Sequence, residues 1–409
     1  MHNIRNERPI SWSSVHLNAI RGAAAIVVLL GHTRGLFFTS LTDKLETGHV
    51  VAYQHTSRPT VGEAAVIVFF VLSGYLVGGS ALRSIAGGRW SWTDYLFKRI
   101  TRLWVVLLPA LALGVGLDML GMHVIGNHAS IYGAPASTLV PHHLASRLAW
   151  RVIAANACFL QGILTPTAGT NNSLWSLAYE WWYYLMFPLA ILICVRSTKS
   201  LLRVVYGLLL AGVAFFIGRD MMALFPAWLL GVAAAAMPAL TVPRIVTNTI
   251  LAASMSFIFL IKKFDMSYYG TALCVALAFT FVLWSAIQHK GTCSSEGYKR
   301  ASNFFSDISY TLYLTHLPLA IFICAIVNRP WHYRTLTPIN ALLFLVMNAA
   351  IVAAAYLFYR LFEGNTDAVR GFLVNVRIKQ RAAKEAGPTR EVSNATSVTD
   401  REIAVTAYE

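Results

Sequence analysis

The stretch "NAIRGAAAIVVLLGHTRG", residues 18–35, decides the fold. Its apolar centre is long and free of acids, and with the apolar residues that follow it reaches the length a helix needs to cross a bilayer. Arg5 and Arg8 precede it. The run is too long for a cleaved leader, so it is expected to stay as the first span. Working outward, similar runs recur to about residue 362. The chain of 409 residues is 56% hydrophobic and only 12% charged, with a mean hydropathy of +0.57. A soluble protein carries about twice that charged fraction. In lipid, backbone groups must bond within the segment, which leaves helices or closed barrels. The runs are unbroken and do not alternate with period two, which excludes a barrel. The expectation is an all-α polytopic bundle.

Ten spans are expected, at 17–38, 63–82, 103–121, 174–195, 201–217, 222–240, 248–262, 267–287, 306–327 and 338–362. They form a membrane domain at 17–362, flanked by an N-terminus at 1–16 and a polar, largely disordered tail at 363–409. An even count puts both termini on one side. The densest basic clusters, Arg83/Arg89/Lys98/Arg99/Arg102 and the tail from Arg370 to Lys384, then face the cytoplasm, as the positive-inside rule asks. Lys262 and Lys263 run against it. The net charge of +15 is explained by these loops and calls for no nucleic acid. The cysteines (Cys158, Cys194, Cys274, Cys293, Cys324) lack metal spacing and read as packing residues. The longest outer segment, 122–173, holds His123, His128, His142 and His143 without orderly ligand spacing, so no metal is expected. A partly apolar piece at 147–164 is a candidate interfacial helix over a site.

Polar residues inside the apolar runs carry the chemistry. Arg21 and His32 are eleven residues apart, about 1,100° on an ideal helix, or three turns plus about 20°. They share one face, separated by roughly 16 Å along the axis. An arginine at the inner mouth suits a phosphate. An imidazole deeper along the same face suits a base working near neutrality. Taken singly, Arg21 is equally an interface anchor and His32 interhelical hydrogen-bond glue. Glu180, in "NNSLWSLAYEWWYYLMFP" (171–188), is an intramembrane acid and a functional candidate by default. It lies about six residues, or roughly 9 Å, below the outer edge, at a depth like that of His32. It is expected to orient the imidazole; a structural ion pair is the alternative. Lys98, Arg99 and Arg102 in "DYLFKRITRLW" (94–104) would complete a phosphate-binding mouth beside Arg21, or serve topology alone. Ser73, in "VIVFFVLSGYLVGGS" (66–80), sits where small residues let helices approach. With Tyr179 and His316, the latter in "FFSDISYTLYLTHLPL" (304–319), it is a candidate to contact substrate. His316 is equally placed to cap a break before Pro318.

Together these strings resemble acyltransferase family 3 (AT3), membrane proteins of bacteria. The resemblance rests on Arg21 and His32 in "LNAIRGAAAIVVLLGH", then "FFVLSGY" (69–75), "FKRITRLW", "LWSLAYEWWYYLMFP" (174–188), "SYTLYLTHLPL" (309–319) and "YRLFEGNTDAVR" (359–370), in family order. It implies O-acetylation of a carbohydrate: an acetyl group, less often another short acyl, passes from cytoplasmic acetyl-CoA, a cosubstrate, to a hydroxyl of an extracytoplasmic or lipid-linked polysaccharide. It implies the bacterial inner membrane as the location. It also carries the family's essential positions onto Arg21, His32 and Glu180. Two departures stand out. The acid many members place before the double phenylalanine is displaced here to Glu63, in "GEAAVIVFF". The C-terminal SGNH hydrolase-like domain of some relatives has no counterpart in the polar tail, so transfer is completed in the membrane domain or with a separate extracytoplasmic partner. The rival reading is a secondary transporter or flippase with a buried Arg/His/Glu path. It predicts an inverted repeat, which the sequence does not display.

Overall fold

The computed structural model describes residues 12–38, 59–125, 131–133, 140–141, 143–238, 243–261, 264, 266–288 and 295–385. Arg5, Arg8, His128, His142, Lys262, Lys263, Cys293 and the polar stretch after residue 385 lie outside them. The described chain is helical, with only isolated bridges and no named strand. The first spans are α1 (Trp12–Phe37), then α2 (Val61–Ser73) continued through a π-turn (Gly74–Gly78) into α3 (Gly79–Ala86), then α4 (Trp92–Leu120). Two short helices follow, α5 (Leu144–Arg147) and α6 (Trp150–Ala157). Next come α7 (Trp175–Cys194), α8 (Ser200–Ala236), α9 (Arg244–Leu260) and α10 (Tyr268–Ile287). An amphipathic α11 (Glu296–Asp307) precedes α12 (Ser309–Val327) and α13 (Pro338–Leu361). Eight of the helices are long and apolar enough to cross a membrane.

Among the described residues these eight are compatible with the ten expected spans. The expected spans at 201–217 and 222–240 are the two limbs of α8, which breaks at Gly218 (φ 78°, ψ −179°). That conformation is open essentially to glycine alone. The expected span at 248–262 is α9, whose 17 residues are just below a full crossing. Conversely, α4 starts eleven residues before the expected span. Its helix runs through the basic cluster to an N-cap, where the Ser91 hydroxyl accepts from the Asp94 N–H at 3.3 Å. The 147–164 stretch forms the short α6 and a tight loop, not a longer helix. The loop is tied down by Asn156 and by Trp182, whose Nε1 donates to the Phe159 carbonyl at 3.0 Å.

Two kinds of local chemistry hold the bundle. A Cβ placed at Gly74 would lie 1.9 Å from the Trp228 carbonyl oxygen, and one at Gly231 would lie 1.9 Å from that of Val71. Only glycine at both positions lets α2 and α8 touch backbone to backbone. Prolines supply the second kind. Pro188 and Pro318 have no N–H for the carbonyl four residues back, and each freed carbonyl finds a side chain instead. The Tyr95 hydroxyl donates to Tyr184 O at 3.1 Å, and Asn171 Nδ2 donates to Leu314 O at 2.8 Å. Asn171→Leu therefore leaves a buried carbonyl bare and is expected to cost about 1–3 kcal/mol, read as a lowered Tm in detergent.

The chain divides into two compact units, one through Thr366 and one from Asp367. Within the first unit Glu363 is 4% exposed, deep among the helices. The described part of the second unit is helix α14 (Thr366–Glu385), which carries the Arg370–Asp367 ion pair at 2.9 Å.

Candidate active site

A cavity of about 330 Å³ opens among α1, α2, α4, α7 and α12. Arg21, Arg99 and Arg102 line it, and so does Glu180; its apolar walls include Phe69, Leu72 and Leu103, and Ser73, Ser176 and Tyr313 add hydroxyls. Lys98, expected with the arginines, is exposed and is not among the lining residues. On α4 it precedes Arg99 by one position, about 100° around the helix, so it points away when Arg99 points in.

The arginines are held differently. Arg102 Nη2 meets Glu363 Oε1 at 2.8 Å. The other oxygen of Glu363 accepts from the Thr311 N–H at 3.1 Å and its hydroxyl at 2.6 Å. Arg99 lies over the Tyr95 ring at 5.7 Å, and its Nε is buried without a hydrogen-bond partner. Arg21 is half-buried, with Arg102 opposing its charge and Glu363, Glu180 and Asp307 favouring it. Three guanidinium groups with unused donors in one apolar pocket suit an acceptor-rich anion such as a phosphate. Glu363 was not singled out in the sequence. The "YRLFEGN" string holds it, but nothing in that string points to the contact with Arg102.

Glu180 does not reach His32, contrary to the expectation from matched depth. Its Oε1 accepts from the Ser73 hydroxyl at 2.7 Å and from the Tyr184 hydroxyl one turn along α7. Trp228 Nε1 donates in turn to Ser73 Oγ at 3.2 Å. Depth fixed the height of Glu180 but not its azimuth, and α7 turns it toward α2. Ser73 lines the cavity and donates to the acid. The π-turn that follows it is an irregularity common at functional sites. Tyr179 is not a lining residue: it stacks on Phe70 at 6.1 Å and meets Trp175 edge-on.

His32 pairs instead with His316. The rings stack at 5.1 Å, and His32 Nδ1 lies 2.9 Å from His316 Nε2. His316 is 1% exposed; His32 is half-buried. Neither lines the cavity. Tyr313 lines the cavity; its hydroxyl bonds Ser176 at 2.6 Å and its ring lies 5.9 Å from that of His316. Along α1 the order is Arg21 at the cavity and then His32; along α12 it is Tyr310 and Tyr313 at the cavity and then His316. Arg21 and His32 share a face, as their spacing requires. Glu63, the displaced acid, closes a capping box at the start of α2: the Thr60 N–H meets Glu63 Oε2 at 2.7 Å, and the Glu63 N–H meets Thr60 Oγ1 at 3.2 Å. The three-residue spacing of Thr60 and Glu63 was the overlooked signal. Among the described residues no cluster of His, Cys, Asp or Glu is disposed to hold a metal.

Comparison with known proteins gives one result. No curated protein and no solved structure matches the chain. The family described as the acyltransferase domain of the Acyl_transf_3 type matches residues 15–360, which contain the arginines, Glu180 and both histidines. With its bundle of membrane-length helices and a match over most of its length, the chain belongs to acyltransferase family 3 and is a membrane acyltransferase.

Proposed function

We propose that the protein is an O-acetyltransferase of the bacterial inner membrane that moves an acetyl group from cytoplasmic acetyl-CoA to a hydroxyl of a surface or lipid-linked glycan. The observation that carries the reading is that Arg21 of α1 lines one cavity with Arg99 and Arg102 of α4, while His32, about three turns along α1, pairs with His316 beyond the lining residues. The nucleotide's phosphates bind Arg21, Arg99 and Arg102, and the pantetheine arm runs toward Tyr313. His32 takes the proton of the acceptor hydroxyl. The oxygen attacks the thioester carbonyl, a C–O bond forms, the C–S bond breaks, and the imidazolium returns the proton to the departing thiolate. Glu180, bonded to Ser73 and Tyr184, offsets together with Glu363 part of the charge of the three arginines and reduces their mutual repulsion before the donor arrives. This orientation puts the basic end in the cytoplasm, with both termini, in accord with the positive-inside rule.

The test is radiolabelled acetyl-CoA supplied to inverted membrane vesicles from the native host. Incorporation into base-labile glycan ester supports the reading; its loss from a deletion strain, together with the acetyl increment in the surface-glycan mass spectrum, identifies the acceptor. Equal incorporation with and without the gene overturns it. Arg21→Ala and Arg99→Ala are each expected to raise the acetyl-CoA concentration at half-maximal rate about tenfold, the loss of one charge-assisted contact. Lys98→Ala is expected to leave it unchanged.

A further inference from the structure

His316 has a role that its burial alone does not explain. Its Nδ1 lies 2.8 Å from the Tyr313 carbonyl oxygen and 3.0 Å from that of Leu312. A carbonyl only accepts, so Nδ1 carries the proton. Among the described residues no carboxylate bonds either ring, and an unpaired imidazolium in an apolar bundle is costly. The ring is therefore neutral, and its Nε2 bears a lone pair. That lone pair faces His32 Nδ1 at 2.9 Å. His32 Nδ1 must then carry a proton and donate it, which leaves the lone pair of His32 on Nε2. The protonation of both rings follows from two helix carbonyls.

We propose that His316 is a positioning residue: it fixes His32 in the one tautomer whose Nε2 can take the acceptor proton, and it shares the charge of the imidazolium that results. The proposal rests on the reading of His32 as the base. A carboxylate does this work in hydrolase triads, but it would stand as a permanent charge in the bilayer. A neutral imidazole orients its partner at no such cost. When His32 Nε2 gains the hydroxyl proton, its Nδ1–H still points at His316 Nε2. A shift of that proton toward His316 spreads the charge over two rings, with the far N–H anchored on Tyr313 and Leu312. The Ser173 hydroxyl, 3.4 Å from His316 Nε2, is a weaker donor to the same lone pair.

The experiment compares His316→Gln with His316→Met in vesicles given radiolabelled acetyl-CoA. The two side chains are nearly isosteric. Only glutamine offers an oxygen to accept from His32 Nδ1–H and an N–H for the helix carbonyls. Methionine is expected to lower the maximal rate about 10²-fold or more, the scale of a mis-set tautomer, at unchanged half-saturating acetyl-CoA. Glutamine is expected to recover at least a tenfold part of that loss. A methionine variant at the wild-type rate, or a glutamine variant no better than methionine at equal protein, overturns the proposal. Where methionine prevents insertion, His316→Leu takes its place with the same two outcomes. His32→Ala separates the two ideas. If it retains activity, the base reading fails. If it loses activity while His316→Met does not, only the positioning role fails.

Discussion

His32→Ala is expected to lower acyl transfer by about 10³-fold, within the range a positioned general base contributes, while acetyl-CoA affinity is unchanged. The geometry separates the two effects. His32 is not on the cavity wall, and the arginines at the cavity's basic end do not touch it. Removing the ring takes away the base and leaves His316 Nε2 without its donor, a stability cost of about 1–3 kcal/mol that a Tm shift would register. The measurement is initial incorporation of label over a range of acetyl-CoA concentrations, at matched protein levels. A variant that matches wild type would remove His32 from the chemistry. A variant that mainly loses donor affinity would place the ring on the nucleotide.

Glu363→Ala is expected to be the most damaging change to the donor mouth. The side chain of Glu363 is 2% exposed and receives Arg102 Nη2, the Thr311 N–H and the Thr311 hydroxyl. Alanine leaves the two buried Thr311 donors without an acceptor and takes the ion-pair partner from Arg102, which keeps the Tyr310 ring at 5.7 Å. Each unsatisfied Thr311 donor costs about 1–3 kcal/mol, while the Arg102 side chain, 37% exposed, is in part resolvated and adds less. Arg102 and Arg21 also lose the carboxylate that offsets their repulsion. The expected readouts are a large fall in Tm in detergent and weaker acetyl-CoA binding. Glu363→Gln keeps one acceptor oxygen for Thr311 and should recover most of the Tm but not the affinity. Equal donor affinity in wild type and the glutamine variant would show that Glu363 is structural only.

The helical bundle was legible because lipid imposes one rule on every span: a run long enough to cross must satisfy its own backbone. That rule located α1, α7, α10, α12 and α13 to within a few residues. It failed at the ends, where a helix needs no further hydrophobicity to continue. Ser91 caps α4 well before its apolar run begins, and α11 is amphipathic and lies in no run. The spacing of Arg21 and His32 was reliable because both belong to one helix, where eleven residues fix the face.

The pairing of Glu180 with His32 was read from depth alone, and depth says nothing of azimuth between different helices. The approach of α2 to α8 through Gly74 and Gly231 presents Ser73 to Glu180. The crossing of α1 with α12 gives His32 to His316.

The sequence by itself determined a membrane-embedded helical protein, its family and the shared face of Arg21 and His32, because these depend on local composition and on the period of a single helix. Only the tertiary structure decided which side chains meet: Glu180 with Ser73 and Tyr184, Arg102 with Glu363, His32 with His316. Those contacts depend on how helices far apart in the chain rotate and cross, which is set by glycine contacts and proline-freed carbonyls acting together.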